Sequence, residues 1–289
     1  MNFNLIGAGC LGKNLAFSLI NHKIQLQTLC NTTLISSQTS TKLLGAGKPI
    51  ASLTELGPSD LLWLTVPDDQ ITILVHTLAK NKILKPGTIV IHCSGVLSSA
   101  CLDPLAHQGC WTASLHPLKV FSRSPPFVSN AFHDCYCALE GSPRAIKIIE
   151  PLFKALGAIP FSIQPEKKAL YHAAAVITSN YLVTLATIGD QLFKKAGIDA
   201  NLTKFMTQQL MQSSLNAIEK TVSIKDALTG PLARGDTHTI QHHLTALHDK
   251  RIRQFYCAAA LATLPLTELD AKQKETLHAL LNSQAGDIL

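Results

Sequence analysis

Two side chains able to exchange protons, Lys168 and His172, stand four residues apart in an otherwise apolar stretch with helical periodicity. At about 100° per residue they share one helix face with Ser179, and Asn180 lies on its flank. A polar stripe on an apolar helix requires hydrogen-bond partners or a solvated cleft. In a cleft, Lys168 or His172 would protonate a substrate oxygen, beside Asn180 and a substrate-binding Ser179. Alternatively, Lys168 lies in an exposed first turn and His172 is a hydrogen-bonded core residue.

Other polar residues stand where apolar runs end. Ser94 follows the run that ends at His92, and His116 follows the next run along the chain. The carboxyl ends of parallel strands share one edge of a sheet, so both side chains would reach a common crevice and hydrogen-bond a substrate oxygen. Alternatively, Ser94 makes a turn and His116 caps it. Arg234, in a turn-rich segment, would bind a substrate carboxylate or phosphate, or form a structural ion pair.

These residues need a scaffold, and its first part is a glycine turn. Gly7, Gly9 and Gly12 separate an apolar run from an amphipathic one, which predicts strand, tight turn and helix. Gly7 allows the turn, Gly9 lets the backbone approach a pyrophosphate, and Gly12 lets the helix pack close to the strand. The free N–H groups of the helix would face the phosphates, with Ala8 and Leu11 also at the cofactor. Alternatively, the turn binds nothing.

The residues after the second predicted strand bear on the choice of dinucleotide. A carboxylate at this point usually binds the ribose diol of NAD, but the first acidic residue of this chain is Glu55. Asn31 and Thr32 stand there instead and would hydrogen-bond a 2′-phosphate. The sequence therefore favours NADP, with NAD as the alternative. Val66 and Pro67, which end another apolar run, would line the nicotinamide side together with Ser94.

The remaining elements indicate an α/β fold, a doubly wound Rossmann domain followed by an all-α domain. Helices are predicted at 71–80 and 144–156, and strands at 3–6, 24–29, 60–66, 88–92, 111–115, 135–139 and 160–163. Beyond 164–166 only helical periodicity remains, with helices at 167–196 and 201–220 and one capped by Asp236. The predicted domains are 1–164, which binds dinucleotide, and 165–289, which binds substrate and dimerises.

Composition excludes several classes of function. The net charge is +6, from 25 basic and 19 acidic residues, but no long basic run occurs, so nucleic-acid binding is not expected. Eight cysteines form no C-x-x-C pair. No metal site is therefore expected, and the thiols indicate a reducing, cytoplasmic location. Residues 169–189 are long enough to span a bilayer, but polar Ser179 and Asn180 interrupt them and no second segment resembles them. A buried central helix and no membrane contact are expected.

Six motifs together resemble bacterial proteins that join a Rossmann-like domain to a C-terminal helical domain of unknown function. They are Gly7-Ala8-Gly9, Val66-Pro67-Asp68, His92-Cys93-Ser94-Gly95, Ser114-Leu115-His116-Pro117, Lys168-Ala169-Leu170-Tyr171-His172-Ala173-Ala174 with Ser179-Asn180-Tyr181, and Leu228-Thr229-Gly230-Pro231 with Arg234-Gly235-Asp236.

More remotely, the chain resembles deazaflavin-dependent NADP oxidoreductases, ketopantoate reductase and 3-hydroxyacid dehydrogenases. The resemblance implies a C-terminal domain of the 6-phosphogluconate dehydrogenase type, a homodimer, and hydride transfer with NADP or NAD. In the hydroxyacid dehydrogenases a helix lysine is the acid/base group, with an asparagine one turn later. Lys168 fits that lysine, but His172 stands one turn later and Asn180 is farther along. His172 is thus an equal candidate for the acid/base group.

We therefore expect an NADP-dependent oxidoreductase acting on a small, anionic carbonyl or hydroxyl compound. The catalytic group comprises Lys168, His172, Asn180 and His116. Ser179 and Arg234 would bind the substrate. The alternative is an NADP(H)-binding regulator or scaffold without turnover.

Overall fold

The computed structural model describes residues 1–121, 123, 125, 127–128 and 130–285. Residues 284 and 285 are described by their backbone only. Contacts divide it into two compact units, Met1–Thr178 and Ser179–Leu289. The last strand ends at Ser162, so the first unit also contains the first helix that follows the sheet. The predicted domain boundary at 164/165 stays a prediction.

The first unit is an eight-stranded sheet flanked by helices. Its strand order is β3-β2-β1-β4-β5-β6-β7-β8, parallel except for the antiparallel pair β6–β7. The strands are β1 Asn2–Ile6, β2 Gln25–Cys30, β3 Lys48–Ile50, β4 Leu61–Leu64, β5 Ile89–His92, β6 Trp111–Pro117, β7 Tyr136–Gly141 and β8 Ile159–Ser162. The helices are α1 Cys10–Asn21, α2 Leu34–Leu44, α3 Asp68–Lys80, α4 Asp103–Ala106, α5 Pro143–Ala155 and α6 Lys168–Ala175.

The strand order explains where a crevice opens. β1 pairs in parallel with β2 on one side and with β4 on the other. The chain therefore adds β2 and β3 on one side of β1 and the later strands on the other side, so the order of strands reverses at β1. In open α/β sheets ligands bind outside the carboxyl ends of the strands at this reversal. β4 is buried on both faces, as its unbroken apolar sequence predicts. The predicted Rossmann fold followed by helices is confirmed.

Among its described residues the second unit contains helices joined by turns and no strand. It contains α7 Tyr181–Lys195, α8 Ala200–Lys220, α9 Thr237–Ala246, α10 Lys250–Thr263 and α11 Ala271–Ala285. Its small core includes Ile240, Leu244, Leu277 and Leu281. The predicted cap of α9 is present, because Asp236 Oδ1 accepts from Thr239 N at 2.9 Å.

The helix that follows the sheet differs from its prediction in two respects. A π-helical stretch, Val176–Asn180, separates α6 from α7. The segment Pro165–Lys195 is long and apolar enough to cross a membrane by length and composition, yet none of its most apolar window is buried in the chain. The expectation of a buried central helix is therefore wrong for the single chain. Hydropathy predicts that an apolar helix face is covered, but it does not specify whether the same chain or another molecule covers it.

Candidate functional site

The glycine turn between β1 and α1 has the geometry that its spacing predicts. Gly7 has φ +89°, and a Cβ there would lie 2.7 Å from Thr65 O. A Cβ at Gly12 would overlap Gly7 O, so helix and turn pack without space for a side chain. At Gly9 a Cβ would meet no protein atom within 4 Å. The fold therefore requires glycine at positions 7 and 12, whereas the space beside Gly9 is open to a ligand.

A cavity of about 490 Å³ adjoins this turn at the carboxyl ends of β1, β2 and β4. It brings together most of the predicted cofactor-binding residues. Its lining includes Gly7, Ala8, Gly9, Asn31, Thr32, Ser36, Val66, Pro67 and Gln70. Leu11 packs against the hydrophobic core, and Gly12 lies beneath the turn. The size and position suit a dinucleotide bound along the glycine turn.

Asn31 connects the end of β2 to the glycine turn. Its Oδ1 accepts from Ala8 N at 2.7 Å, and its Nδ2 donates to Ser36 O, Ser36 Oγ and Ser40 Oγ at 3.1 Å each. The amide is thus occupied in supporting the turn. Thr32 and Ser36 are exposed at the same end of the cavity. They are the hydroxyl groups that remain accessible there.

Lys168 is fully buried. Its Nζ donates to Ser114 Oγ at 2.6 Å and to Ser94 O at 3.0 Å, and Glu140 Oε1 lies 4.0 Å away. Burial lowers the pKa of the Lys168 ammonium, and the nearby Glu140 carboxylate acts in the opposite direction. The alternative that Lys168 occupies an exposed first turn is therefore wrong. Lys168 instead attaches α6 to the sheet.

Glu140 was not predicted from the sequence, and Ser114 appeared there only within a motif, yet Lys168 Nζ donates to Ser114 Oγ and faces Glu140 Oε1. Glu140 is an isolated acid in the buried part of β7, and its carboxylate accepts from Ser99 N at 2.7 Å and Ser99 Oγ at 2.6 Å. An acid within an apolar strand is the signal that points to a buried partner. Which cation it faces depends on residues far away in sequence.

His116, Tyr171 and His172 form an aromatic cluster beside the ends of β5 and β6. Tyr171 OH lies 2.9 Å from His116 Nδ1, and the His116 and His172 rings are 5.6 Å apart between centroids. Burial lowers the pKa of His116 to about 4, with contributions from His172 and Lys168. His116 is therefore neutral at pH 7. The structure brings together the two histidines that the sequence placed in the catalytic group.

Gly95 explains how the two histidines approach the end of β5. A Cβ at Gly95 would overlap His172 Cδ2 and lie 3.0 Å from His116 Nε2. Both rings therefore converge on the backbone of one residue that lacks a side chain. The glycine is required here by close approach rather than by an unusual φ.

The Ser94 hydroxyl is engaged within its own loop. It donates to Asp68 Oδ2 at 2.7 Å and accepts from Val96 N at 3.1 Å and Leu97 N at 2.9 Å. This is the turn-forming role given above as the alternative for Ser94. Contact between Ser94 and a cofactor stays a prediction. Asp68, known from the sequence only as part of a motif, connects the first turn of α3 to this loop.

Ser179, Asn180 and Arg234 belong to the second unit, and their positions relative to the histidine cluster stay predictions. The π-helical stretch changes the rotation per residue after Ala175. The angle of 100° per residue therefore does not carry from His172 to Asn180. Arg234 is exposed in the turn before α9.

Two known protein families match different parts of the chain. A Rossmann-like domain matches residues 1–117, and a domain of unknown function, DUF2520, matches residues 135–263. The resemblance to Rossmann-like proteins with a C-terminal helical domain of unknown function is therefore confirmed. No curated protein matches the sequence.

Solved structures share the fold along almost the whole chain. A candidate NADP oxidoreductase from Bacteroides fragilis is 19% identical, with TM-score 0.72 over 98% of this chain and 97% of that one. A Thermotoga maritima protein is 24% identical, with TM-score 0.63 over 98% of each chain. Pyrroline carboxylate reductase from Plasmodium falciparum, with NADP bound, is 14% identical, with TM-score 0.59 over 99% of this chain and 98% of that one. At these identities the likeness shows a common fold, one also found in NAD(P)-dependent reductases.

Proposed function

We propose that this chain, which joins a Rossmann-like domain to DUF2520, is an NADP-dependent oxidoreductase of a small, anionic carbonyl or hydroxyl compound. The observation that carries the proposal is the empty space beside Gly9, where a Cβ would meet no protein atom within 4 Å at the edge of the cavity. Two histidines that converge on Gly95 support it. Gly7, Gly9 and the start of α1 would hold the pyrophosphate of the cofactor. When bound, NADPH supplies the hydride, and the protein supplies the proton.

His172 is the proposed acid/base group. Its ring is only partly buried, and among the described residues its nitrogens have no hydrogen-bond partner. It can therefore donate a hydrogen bond to a substrate oxygen and deliver a proton to it. Lys168 is held by Ser94, Ser114 and Glu140 away from solvent, which suits a positioning residue that fixes α6 and hence His172. The net positive charge of the chain suits an anionic substrate.

The substitution His172→Asn tests this assignment. We expect the turnover rate of NADPH-linked reduction, assayed with a panel of 2-oxo acids, 3-oxo acids and cyclic imines, to fall about 100- to 10,000-fold, because general acid catalysis contributes that much. NADPH affinity should remain unchanged. The matched control is His76→Asn, an exposed histidine on α3. Unaltered turnover in His172→Asn would refute the proposed site, and tight NADPH binding without turnover of any panel member would favour the regulator.

The preference for NADP follows from the groups at the adenosine end of the cavity. No carboxylate lines the described cavity there, and the accessible groups are the hydroxyls of Thr32 and Ser36. Hydroxyls bind a phosphate, whereas a ribose diol is usually held by an acid. A relative of the same fold binds NADP.

The substitution Thr32→Asp should reverse the preference. A carboxylate beside the 2′-phosphate is expected to weaken NADPH binding about 100-fold by like-charge repulsion, whereas NADH should bind at least as well as before. Isothermal titration with both cofactors measures this. Thr39→Asp adds the same charge on α2 outside the cavity and should change neither affinity. Wild-type protein that binds NADH as tightly as NADPH would overturn the NADP assignment.

We also propose that a second copy of the chain covers the apolar surface of α7 and α8. No described residue of α7 is buried, and Val183 and Leu215 are exposed in the groove between the two helices. Monomeric proteins rarely expose so large an apolar surface. A membrane is a poorer partner, because a single apolar segment among the described residues is weak evidence for a span, and Lys168 near its start is held by Ser94 and Ser114. All eight cysteines are free thiols, which supports a cytoplasmic location.

Light scattering after gel filtration tests the dimer. The wild-type protein should have twice the chain mass of 31.2 kDa, and Val183→Glu should be a folded monomer, because a charge would be buried in the interface. Ile73 on α3 is exposed to a similar extent, at 58% against 67% for Val183, and Ile73→Glu should leave the mass unchanged. A wild-type monomer at micromolar concentration would contradict the proposal.

A further inference from the structure

Tyr171 is a residue of the histidine cluster for which the proposed reaction has no role. It directly precedes His172 on α6, and its hydroxyl lies 2.9 Å from His116 Nδ1. The two rings meet edge to face at 87°, with centroids 5.5 Å apart. The pair thus joins α6 to the end of β6 through one hydrogen bond. The ring nitrogen that Tyr171 contacts is the one farther from Gly95.

We infer that Tyr171 holds His116 as the tautomer with hydrogen on Nε2, which makes His116 a fixed hydrogen-bond donor to the substrate and leaves proton transfer to His172. Tyr171 is thus a positioning residue. The substrate role rests on the proposed function, whereas the tautomer of His116 does not.

The direction of the hydrogen bond follows from the protons available. Burial raises the pKa of Tyr171 to about 12, so the phenol keeps its proton at neutral pH. Within the described residues its hydroxyl has no other hydrogen-bond partner, so His116 Nδ1 is the one described acceptor within reach of this proton. Neutral imidazole has one N–H and one acceptor nitrogen. With Nδ1 accepting from Tyr171, the N–H of His116 must be at Nε2.

The position of Nε2 gives this tautomer a use. His116 Nε2 lies 3.0 Å from the point where a Gly95 Cβ would be, on the side that His172 also approaches. The charged or titratable groups around His116 are Tyr171, His172, Lys168 and Asp68. Lys168 and His172 both oppose a positive charge on His116, which favours the neutral ring.

The proton chemistry is thus divided between two histidines. As hydride reaches the carbonyl carbon, the electron pair of the C=O bond moves to oxygen, which takes a proton from His172. The Nε2–H of His116 stays on its nitrogen and stabilises the developing negative charge on that oxygen. A carbonyl oxygen or an imine nitrogen can accept this hydrogen bond, whereas an ammonium or a methylated centre cannot. The substrate class is therefore one with a free acceptor at the reacting bond.

Nitrogen-15 NMR of the histidine rings in the full-length protein tests the tautomer. The His116 signals, assigned by their loss in His116→Gln, should show protonated Nε2 and unprotonated Nδ1 at pH 7. In Tyr171→Phe they should shift toward a mixture of both tautomers. The matched control is Tyr256→Phe, because Tyr256 OH lies 3.0 Å from His243 Nδ1 in the second unit. That change should move the His243 signals and leave His116 unaltered.

The wild-type spectrum decides the inference even if Tyr171→Phe does not fold. Hydrogen on Nδ1, or a doubly protonated His116 at pH 7, would overturn it, as would unchanged His116 signals in a folded Tyr171→Phe protein. The expected tautomer without turnover of any carbonyl or imine would leave the role of Tyr171 intact and refute the proposed reaction. With an active substrate, Tyr171→Phe should lower kcat about 10-fold, and KM should change far less.

Discussion

The substitution Gly9→Ala is expected to weaken NADPH binding strongly and to leave the fold unchanged. Gly9 has φ −71° and ψ −160°, a conformation that alanine adopts freely, and an added Cβ would meet no protein atom within 4 Å. The free energy of unfolding should therefore change by less than about 1 kcal/mol. The methyl group would instead occupy the space through which the pyrophosphate approaches the start of α1. We expect the Kd for NADPH to rise at least about 100-fold, or about 2.7 kcal/mol.

Isothermal titration and thermal unfolding measure the two effects separately. Gly57→Ala is the matched control, because a Cβ there also meets nothing within 4 Å and Gly57 does not line the cavity. It should bind NADPH as the wild type does. Gly7→Ala is unsuitable, since φ +89° and the contact with Thr65 would destabilise the protein itself. Wild-type affinity in Gly9→Ala would mean that no cofactor uses the glycine turn.

The substitution Lys168→Met should produce the largest loss of stability. It removes the only described cation within 4.0 Å of the buried Glu140 carboxylate, together with the hydrogen bonds that Lys168 donates to Ser94 O and Ser114 Oγ. Breaking a buried ion pair on one side typically costs about 3–5 kcal/mol, because the remaining charge stays buried and uncompensated. Urea denaturation followed by circular dichroism measures this change in the free energy of unfolding.

The double variant Lys168→Met/Glu140→Gln distinguishes a buried pair from simple loss of packing. Removing the second charge should restore more than half of the lost stability, because a neutral amide still accepts from Ser99 without the cost of a buried charge. Lys154→Met is the matched control, since Lys154 pairs with Glu150 on the exposed side of α5 and should cost less than about 1 kcal/mol. A similarly small loss for Lys168→Met would mean that Lys168 is not held as described and would restore it as the acid/base candidate.

Local patterns in the sequence were sufficient for the fold class and for the glycine turn. Gly7 and Gly12 are required by the backbone itself, because a φ of +89° and a helix packed against Gly7 O exclude any side chain. The continuous apolar run of β4 predicts a strand covered on both faces, and Asp236 predicts the start of α9. Each of these structural features depends on residues only a few positions apart, so it can be predicted from the local sequence.

The tertiary structure alone decided which groups Lys168 and His116 meet. Lys168 contacts Ser114 and Ser94, which are 54 and 74 residues away, and His116 meets Tyr171 at a separation of 55 residues. No periodicity specifies such pairs, because they depend on strand order and on how α6 lies against the sheet. For the same reason the sequence suggested Lys168 and His172 as equal acids, whereas burial separates them. The sequence by itself determined the elements and the turn that would hold a cofactor. Only packing decided that Lys168 is enclosed and that His172 borders Gly95.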